Sequence, residues 1–197
     1  MSSSTRKRLG SRDPNSDSSV KNSRKAKSGT RDTGRRQPVL AAVLTISDSS
    51  FRGERVDLSG PAVADVLQRC MFRVVTRSVV PDDQPAIEKT LVELSGKIPL
   101  IVTTGGTGIA ARDVTPEATR AVCEKLLEGV AERMRLEGSK KTRYAALSRG
   151  VCGVRGKSLI LNLPGSPTGA VESLQAVIAL LPHALALLAG NTTHNGH

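Results

Sequence analysis

Short apolar runs alternate with helical stripes along this chain, each pair joined by a polar hinge. Residues 39–46 are almost unbroken apolar and of strand length, as expected for a strand covered on both faces, and they end in Ser47-Asp48-Ser49-Ser50. A charged, exposed stretch at 51–59 follows, and then Gly60-Pro61 opens a helix. Its Val63, Val66, Leu67, Cys70 and Met71 share one face, and Pro61 suits a first turn. Residues 73–80 read as a second strand, closed by Pro81-Asp82-Asp83. An acidic cap there starts a helix through Ser95, with Ile87, Leu91 and Leu94 facing inward. Residues 99–103 form a short buried strand that runs straight into Thr104-Gly105-Gly106-Thr107-Gly108. Thr115-Pro116-Glu117 then begins a helix, with Thr115 as its cap, Pro116 in first position and an acid in the first turn. Residues 149–154 and 158–163 read as two strands around Arg155-Gly156. A last helix follows Pro164-Gly165-Ser166-Pro167, with Val171, Leu174, Val177, Ile178 and Leu181 on its buried stripe and Leu185 and Leu188 extending it. The alternation predicts an α/β domain with a mostly parallel sheet and right-handed crossovers.

In such sheets ligands gather beyond the carboxyl ends of the strands. Ser47-Asp48, Pro81-Asp82, residues 103–108 and residues 162–166 all fall at those ends. The segment 103–119 carries the most chemistry. Its glycines let backbone amides converge on an anion without Cβ obstruction, and its threonines add donors, so it reads as a cradle for phosphate or carboxylate. It lacks the Gly-Lys-Ser/Thr of a Walker loop and the spacing of a dinucleotide fingerprint. The plainer reading, a turn that needs glycine for geometry alone, stays open. Asp82 and Asp113 each follow a strand by a few residues and could reach one rim. Two carboxylates beside a phosphate cradle suit Mg²⁺ held between protein and nucleotide. The alternative is that Asp82 caps its helix and Asp113 sits in an exposed turn. Asp57 reads as a loop acid. Gly165 and Ser166 at a helix start could receive an anion or simply begin the helix.

Composition narrows the remaining classes. Of the chain's net charge of +11, residues 1–37 hold +8, with eleven basic side chains against three acidic ones. Beyond Met1, Leu9 and Val20 are the only large aliphatic side chains there, so this segment reads as a disordered basic tail. A contact with nucleic acid or an anionic surface and an organelle transit peptide are the sharper readings of it. The chain has one Tyr, two Phe and no Trp, which leaves no evident base-stacking platform and makes nucleic acid an unlikely main partner. Cys70, Cys123 and Cys152 are odd in number, with no Cys-x-x-Cys pair, so neither a zinc site nor a disulfide framework is expected. His183 reads as a core or helix-surface residue, and His194 and His197 fall in a polar, disordered terminus at 191–197. Pro182 and His183 are read as interrupting the Leu/Ala-rich C-terminal run, so no membrane span and a cytoplasmic protein are expected.

Several segments together resemble the molybdopterin-binding MogA/MoaB family, which includes the G domain of gephyrin. They are Thr45-Ile46-Ser47-Asp48, Asp57-Leu58-Ser59-Gly60-Pro61, Val80-Pro81-Asp82, Thr103 to Gly108, Arg112 to Thr119, Leu147-Ser148-Arg149 and Leu161 to Pro167. The resemblance spans about residues 39–190 and implies one domain over 38–190, with a three-layer α/β/α sandwich and a homotrimer. It implies Mg²⁺-dependent transfer of an adenylyl group from ATP to the terminal phosphate of molybdopterin, with release of pyrophosphate. A molybdopterin-binding or scaffold protein without turnover is the alternative within the same pathway. The resemblance gives Asp82 and Asp113 to catalysis and Mg²⁺. It gives Ser47 and Asp48 to the nucleotide side, Thr104, Gly105, Gly106, Thr107 and Gly108 to phosphate, and Pro164, Gly165 and Ser166 to the pterin pocket. Thr107, Asp113 and Glu117 are the strongest candidates for ligand contact. A molybdenum-insertion protein is a possible downstream partner.

Overall fold

The computed structural model describes residues 37–191; all but the last residue of the expected basic tail at 1–37, and His194 and His197, lie outside them. Strand β1 (Val39–Ile46) leads into a single helical turn, α1 (Asp48–Phe51), and then α2 (Ser59–Arg69). Strand β2 (Phe72–Val80), helix α3 (Gln84–Ser95) and strand β3 (Leu100–Thr104) follow, and the Gly-rich turn joins β3 to α4 (Thr115–Val122). Strand β4 (Lys125–Leu126) and helix α5 (Glu128–Ser139) precede the hairpin of β5 (Cys152–Arg155) and β6 (Ser158–Leu163). Helix α6 (Pro167–Val177), one 3-10 turn and α7 (Leu181–Leu188) close the domain.

The sheet order is β2-β1-β3-β6-β5-β4. β2, β1, β3 and β6 are parallel, and β5 and β4 add on antiparallel. Strand alternation divides the core into two layers. Val43, Leu100, Val102, Leu159 and Leu161 face α2, α5, α6 and α7, where they meet Leu67, Met134, Leu174 and Leu181. Ala42, Leu44, Ile101 and Ile160 face the other way onto Ile87 and Leu91 of α3 and Ala118 and Val122 of α4. The result is the expected three-layer arrangement. β1 leads to β2 on one side and lies beside β3 on the other, so the chain reverses direction across the sheet between β1 and β3. That crevice is where open α/β sheets bind ligands.

Four local readings change. Met71 lies beyond α2 with φ 67° and is exposed, so it belongs to the left-handed exit from the helix and not to its apolar face. Thr115 does not cap α4: Val114 holds that position, and the buried Thr115 hydroxyl donates to Gly105 O at 2.9 Å. Residues 149–151 precede β5, which begins at Cys152. Pro182 does not interrupt the C-terminal run. It sits in the first turn of α7, where its missing N–H is tolerated, and Pro167–Leu188 is one helical stretch of 22 residues, apolar and long enough to cross a membrane. Its Ala170, Leu174, Val177, Leu181 and Leu185 are buried in the core layer that covers one face of the sheet.

Candidate functional site at the carboxyl ends of the parallel strands

Four parallel strands end side by side, at Ile46, Val80, Thr104 and Leu163, and the residues just after them wall a cavity of about 380 Å³. Ser47, Asp82, Gly105, Gly106, Gly165 and Ser166 all line it, as does Thr104 at the end of β3. Asp113 reaches it from the far end of the Gly-rich segment. Arg55, Val56, Asp57, Leu58 and Ser59 form the opposite lip.

Gly105 has φ +106°, and a Cβ there would collide with the carbonyl oxygen of Ile46. Its amide donates to Leu163 O at 3.1 Å, so the turn is locked between β1 and β6. Gly106, at φ +61°, has its carbonyl taken by Thr115 N at 3.1 Å, and its own N–H has no acceptor among the described residues. Glycine therefore serves geometry here, and the geometry leaves a backbone donor on the cavity wall. The Thr104 hydroxyl is committed to Pro164 O at 2.6 Å, tying the two loops together.

The acids fall into two groups. Asp48 and Asp82 hold each other's backbone: Asp48 N donates to Asp82 Oδ2 at 2.8 Å, and Asp82 N donates to Asp48 Oδ1 at 3.0 Å. Arg112 closes the pair, with Nη2 2.5 Å from Asp48 Oδ2 and 3.1 Å from Asp82 O. Burial pushes the Asp82 carboxyl above its ordinary range, and the charges of Asp48 and Asp113 add to this; the hydrogen bond from Asp48 and the Arg112 charge oppose it. Asp82 does not cap α3. Asp83 does, accepting from Ala86 N at 3.0 Å. Asp113 Oδ2 accepts from Ala110 N at 2.8 Å, which stiffens the turn. Asp82 Oδ1 and Asp113 Oδ1 accept no hydrogen bond among the described residues.

Asp57 is more than a loop acid. It accepts from Thr45 Oγ1 at 2.7 Å, Gly60 N at 3.0 Å and Ser59 Oγ at 3.3 Å, which ties the first turn of α2 to the end of β1. The spacing Asp57-x-Ser59-Gly60 before an apolar stripe is a helix-start signal that could have revealed it. Ser166 caps α6 by accepting from Gly169 N at 3.2 Å. The starts of α2 and α6 thus both bring positive dipole ends to the cavity.

Five of the expected contacts lie off this wall. The Asp48 carboxylate is held between Arg112 and the Asp82 amide, and Pro164 contributes its carbonyl to Thr104. Thr107 is buried, and its carbonyl accepts from Arg149 N at 2.9 Å. The Gly108 carbonyl and the Glu117 carboxylate are both held by the Arg149 side chain. Glu117 faces a second hollow, shared with Ile109, Ala110 and Arg149. Arg149 lies in one of the segments that carry the resemblance but drew no role there, because its side-chain partners lie 32 to 41 residues away.

The donor set suits a hard cation. The cavity offers one uncommitted carboxylate oxygen each from Asp82 and Asp113, and no group of three or more His, Cys, Asp or Glu side chains among the described residues could hold a metal alone. Mg²⁺ commonly takes one or two protein carboxylates and completes its shell with water and substrate phosphates.

Comparison with known proteins agrees with this architecture. Residues 42–183 match the model of a family described as a probable molybdopterin binding domain. A molybdopterin adenylyltransferase from Helicobacter pylori strain J99 is 42% identical over 159 residues, covering 79% of this chain and 90% of that protein. The molybdopterin adenylyltransferase of Escherichia coli K12 is 41% identical over 140 residues, covering 68% and 71%. The crystal structure of the molybdopterin biosynthesis enzyme MoaB from Thermus thermophilus superimposes with a TM-score of 0.74 at 52% identity, covering 77% of this chain and 97% of that one. With its sheet order, its Gly-rich turn and the match over most of the described domain, this chain belongs to the molybdopterin-binding family of molybdenum-cofactor biosynthesis proteins.

Proposed function

We propose that this chain is a molybdopterin adenylyltransferase of molybdenum-cofactor biosynthesis, using ATP with Mg²⁺ and releasing pyrophosphate. The observation that carries this reading is that Asp82, Asp113 and the Gly105-Gly106 turn border one cavity. An oxygen of the molybdopterin terminal phosphate attacks the α-phosphorus of ATP. The bond from that phosphorus to the bridging oxygen breaks, and pyrophosphate leaves with the electron pair. The chain's part is mainly positioning and electrostatic. The Gly106 amide and the starts of α2 and α6 favour phosphate oxygens. Asp82 and Asp113 would hold Mg²⁺, which when bound neutralises charge on the polyphosphate. Asp48 and Arg112 hold Asp82 in place. Ser47 lies toward the nucleotide, and Gly165 and Ser166 toward the pterin. A cytoplasmic homotrimer that delivers its product to a molybdenum-insertion protein completes the proposal.

The test mixes the protein with molybdopterin, ATP and MgCl₂ and measures adenylylated molybdopterin and pyrophosphate. Asp113→Asn is expected to abolish turnover while the circular dichroism spectrum stays unchanged. Tight molybdopterin binding with no ATP consumption would instead identify a carrier. Light scattering checks the trimer.

A further inference from the structure

Resting on the reading of Asp113 as a catalytic residue, we propose that Arg149 is a positioning residue for the Gly-rich loop and acts through Asp113. Apolar packing does little to hold the loop; apart from Arg149 it has the Ala110–Asp113 turn and the Arg112 contacts to Asp48 and Asp82. Ile109, Ala110, Ala111 and Arg112 are all exposed, and none packs into either core layer. A segment with so few apolar contacts has many accessible conformations. Asp113 must nonetheless present a carboxylate at a fixed place.

Arg149 arrives from a distant part of the sequence, just before β5, and spans the base of this excursion. Its backbone N–H donates to Thr107 O at 2.9 Å and its Nε to Gly108 O at 2.6 Å. Both acceptors precede the exposed stretch. Its Nη2 donates to Asp113 O at 2.5 Å, and Nη1 pairs with Glu117 Oε1; both of these partners follow the stretch. One planar guanidinium thus fixes the separation between the two ends of the loop. Its contact with Asp113 is to the backbone carbonyl, which leaves the Asp113 side chain free to face the cavity. Glu117 balances the Arg149 charge and orients the fork.

The fork requires arginine. Lysine carries the same charge on a single nitrogen and has no rigid array of donors pointing to three acceptors. Arg149→Lys therefore separates charge from geometry. Its side chain is over a third exposed and lies outside the core, so the variant is expected to fold and to melt within a few degrees of the wild type.

Two measurements decide the matter on the full chain. Hydrogen exchange of the free protein is expected to speed up over residues 108–113 by about tenfold or more in Arg149→Lys, with the sheet unaffected. Steady-state kinetics are expected to show kcat lower by roughly 100-fold, with KM for ATP and for molybdopterin little changed, because misplacement of a reacting group is felt in the transition state. Unchanged exchange over 108–113 overturns the proposal. So does faster exchange with an unchanged kcat, which makes the brace purely structural, or a rise in KM alone. If the wild type shows no turnover, the adenylyltransferase reading has failed, and the exchange experiment still reports whether Arg149 holds the loop.

Discussion

Gly105→Ala should be among the most damaging single-methyl additions in this domain, and its cost can be worked out against a matched control. Gly105 has φ +106°, outside the left-handed well that an L-residue tolerates best. Holding alanine at such an angle costs about 1–2 kcal/mol. The added Cβ would also strike the carbonyl oxygen of Ile46, which is backbone at the end of a fully paired strand and has no rotamer through which to yield. Overpacking of this kind adds about 1–3 kcal/mol. The expected loss is therefore about 2–5 kcal/mol. Gly156 is the control. It turns the β5–β6 hairpin at φ +56°, and a Cβ there meets nothing within 4 Å. Gly156→Ala should cost only the conformational part, about 1–2 kcal/mol. Urea unfolding of both variants at one pH gives the difference directly. In turnover, Gly105→Ala should lose most activity because its turn shapes the cavity, and Gly156→Ala should keep it. Equal destabilisation by the two substitutions would refute the claim that the Ile46 carbonyl enforces glycine.

Three other outcomes follow from named contacts. Asp57→Ala should destabilise by about 1–3 kcal/mol in urea melts, since it strands the buried Thr45 hydroxyl and uncaps α2. Asp82→Asn should unfold at higher urea than the wild type at pH 7 in EDTA, while losing turnover. With its carboxyl held above the ordinary range, Asp82 opposes folding increasingly as pH rises from the unfolded value through the folded one. Burial pushes the Cys123 thiol up to about 11 and the Cys152 thiol up to about 12, so neither should react with a disulfide reagent at pH 8 until urea is added. The same shifts predict that stability falls as pH rises from 9 toward those values, because the unfolded thiols ionise first.

The parallel strands and their order of appearance were legible because each is a compact apolar run, and β6 was read with its observed bounds. Helix α5 was not legible. Of its twelve residues only Ala131 and Met134 are buried, which is too faint a stripe to register as periodicity. Short β4 exists only because β5 pairs with it. Within the site, side chains attached to strand ends could be anticipated, because topology brings all such ends together. Ser47, Asp82, Gly105 and Gly165 illustrate this. Side chains that act across the fold could not. Thr115 looked like a cap because Thr before Pro-Glu usually is one; the helix instead begins at Thr115 itself, and its hydroxyl donates to Gly105 O ten residues away. Glu117 looked available to a ligand for the same reason: nothing near it in sequence announces Arg149.

The neighbouring acids Asp82 and Asp83 show how the rim is organised. A single acid after β2 would have been enough to start α3, and Asp83 meets that need by accepting from Ala86 N. The start of α3 therefore does not account for Asp82. Packing does not account for it either, since burial and the nearby charges of Asp48 and Asp113 make its ionised form less favourable than in water. The backbone nevertheless holds it with care, through the reciprocal pair with Asp48 and the Arg112 bond to its carbonyl. A carboxylate that is costly to the fold and firmly placed by it is the pattern expected where the missing favourable charge arrives with a ligand. A divalent cation carried by a polyphosphate would supply that charge, and it would do so in the cavity that Asp82 shares with Asp113 and the Gly-rich turn.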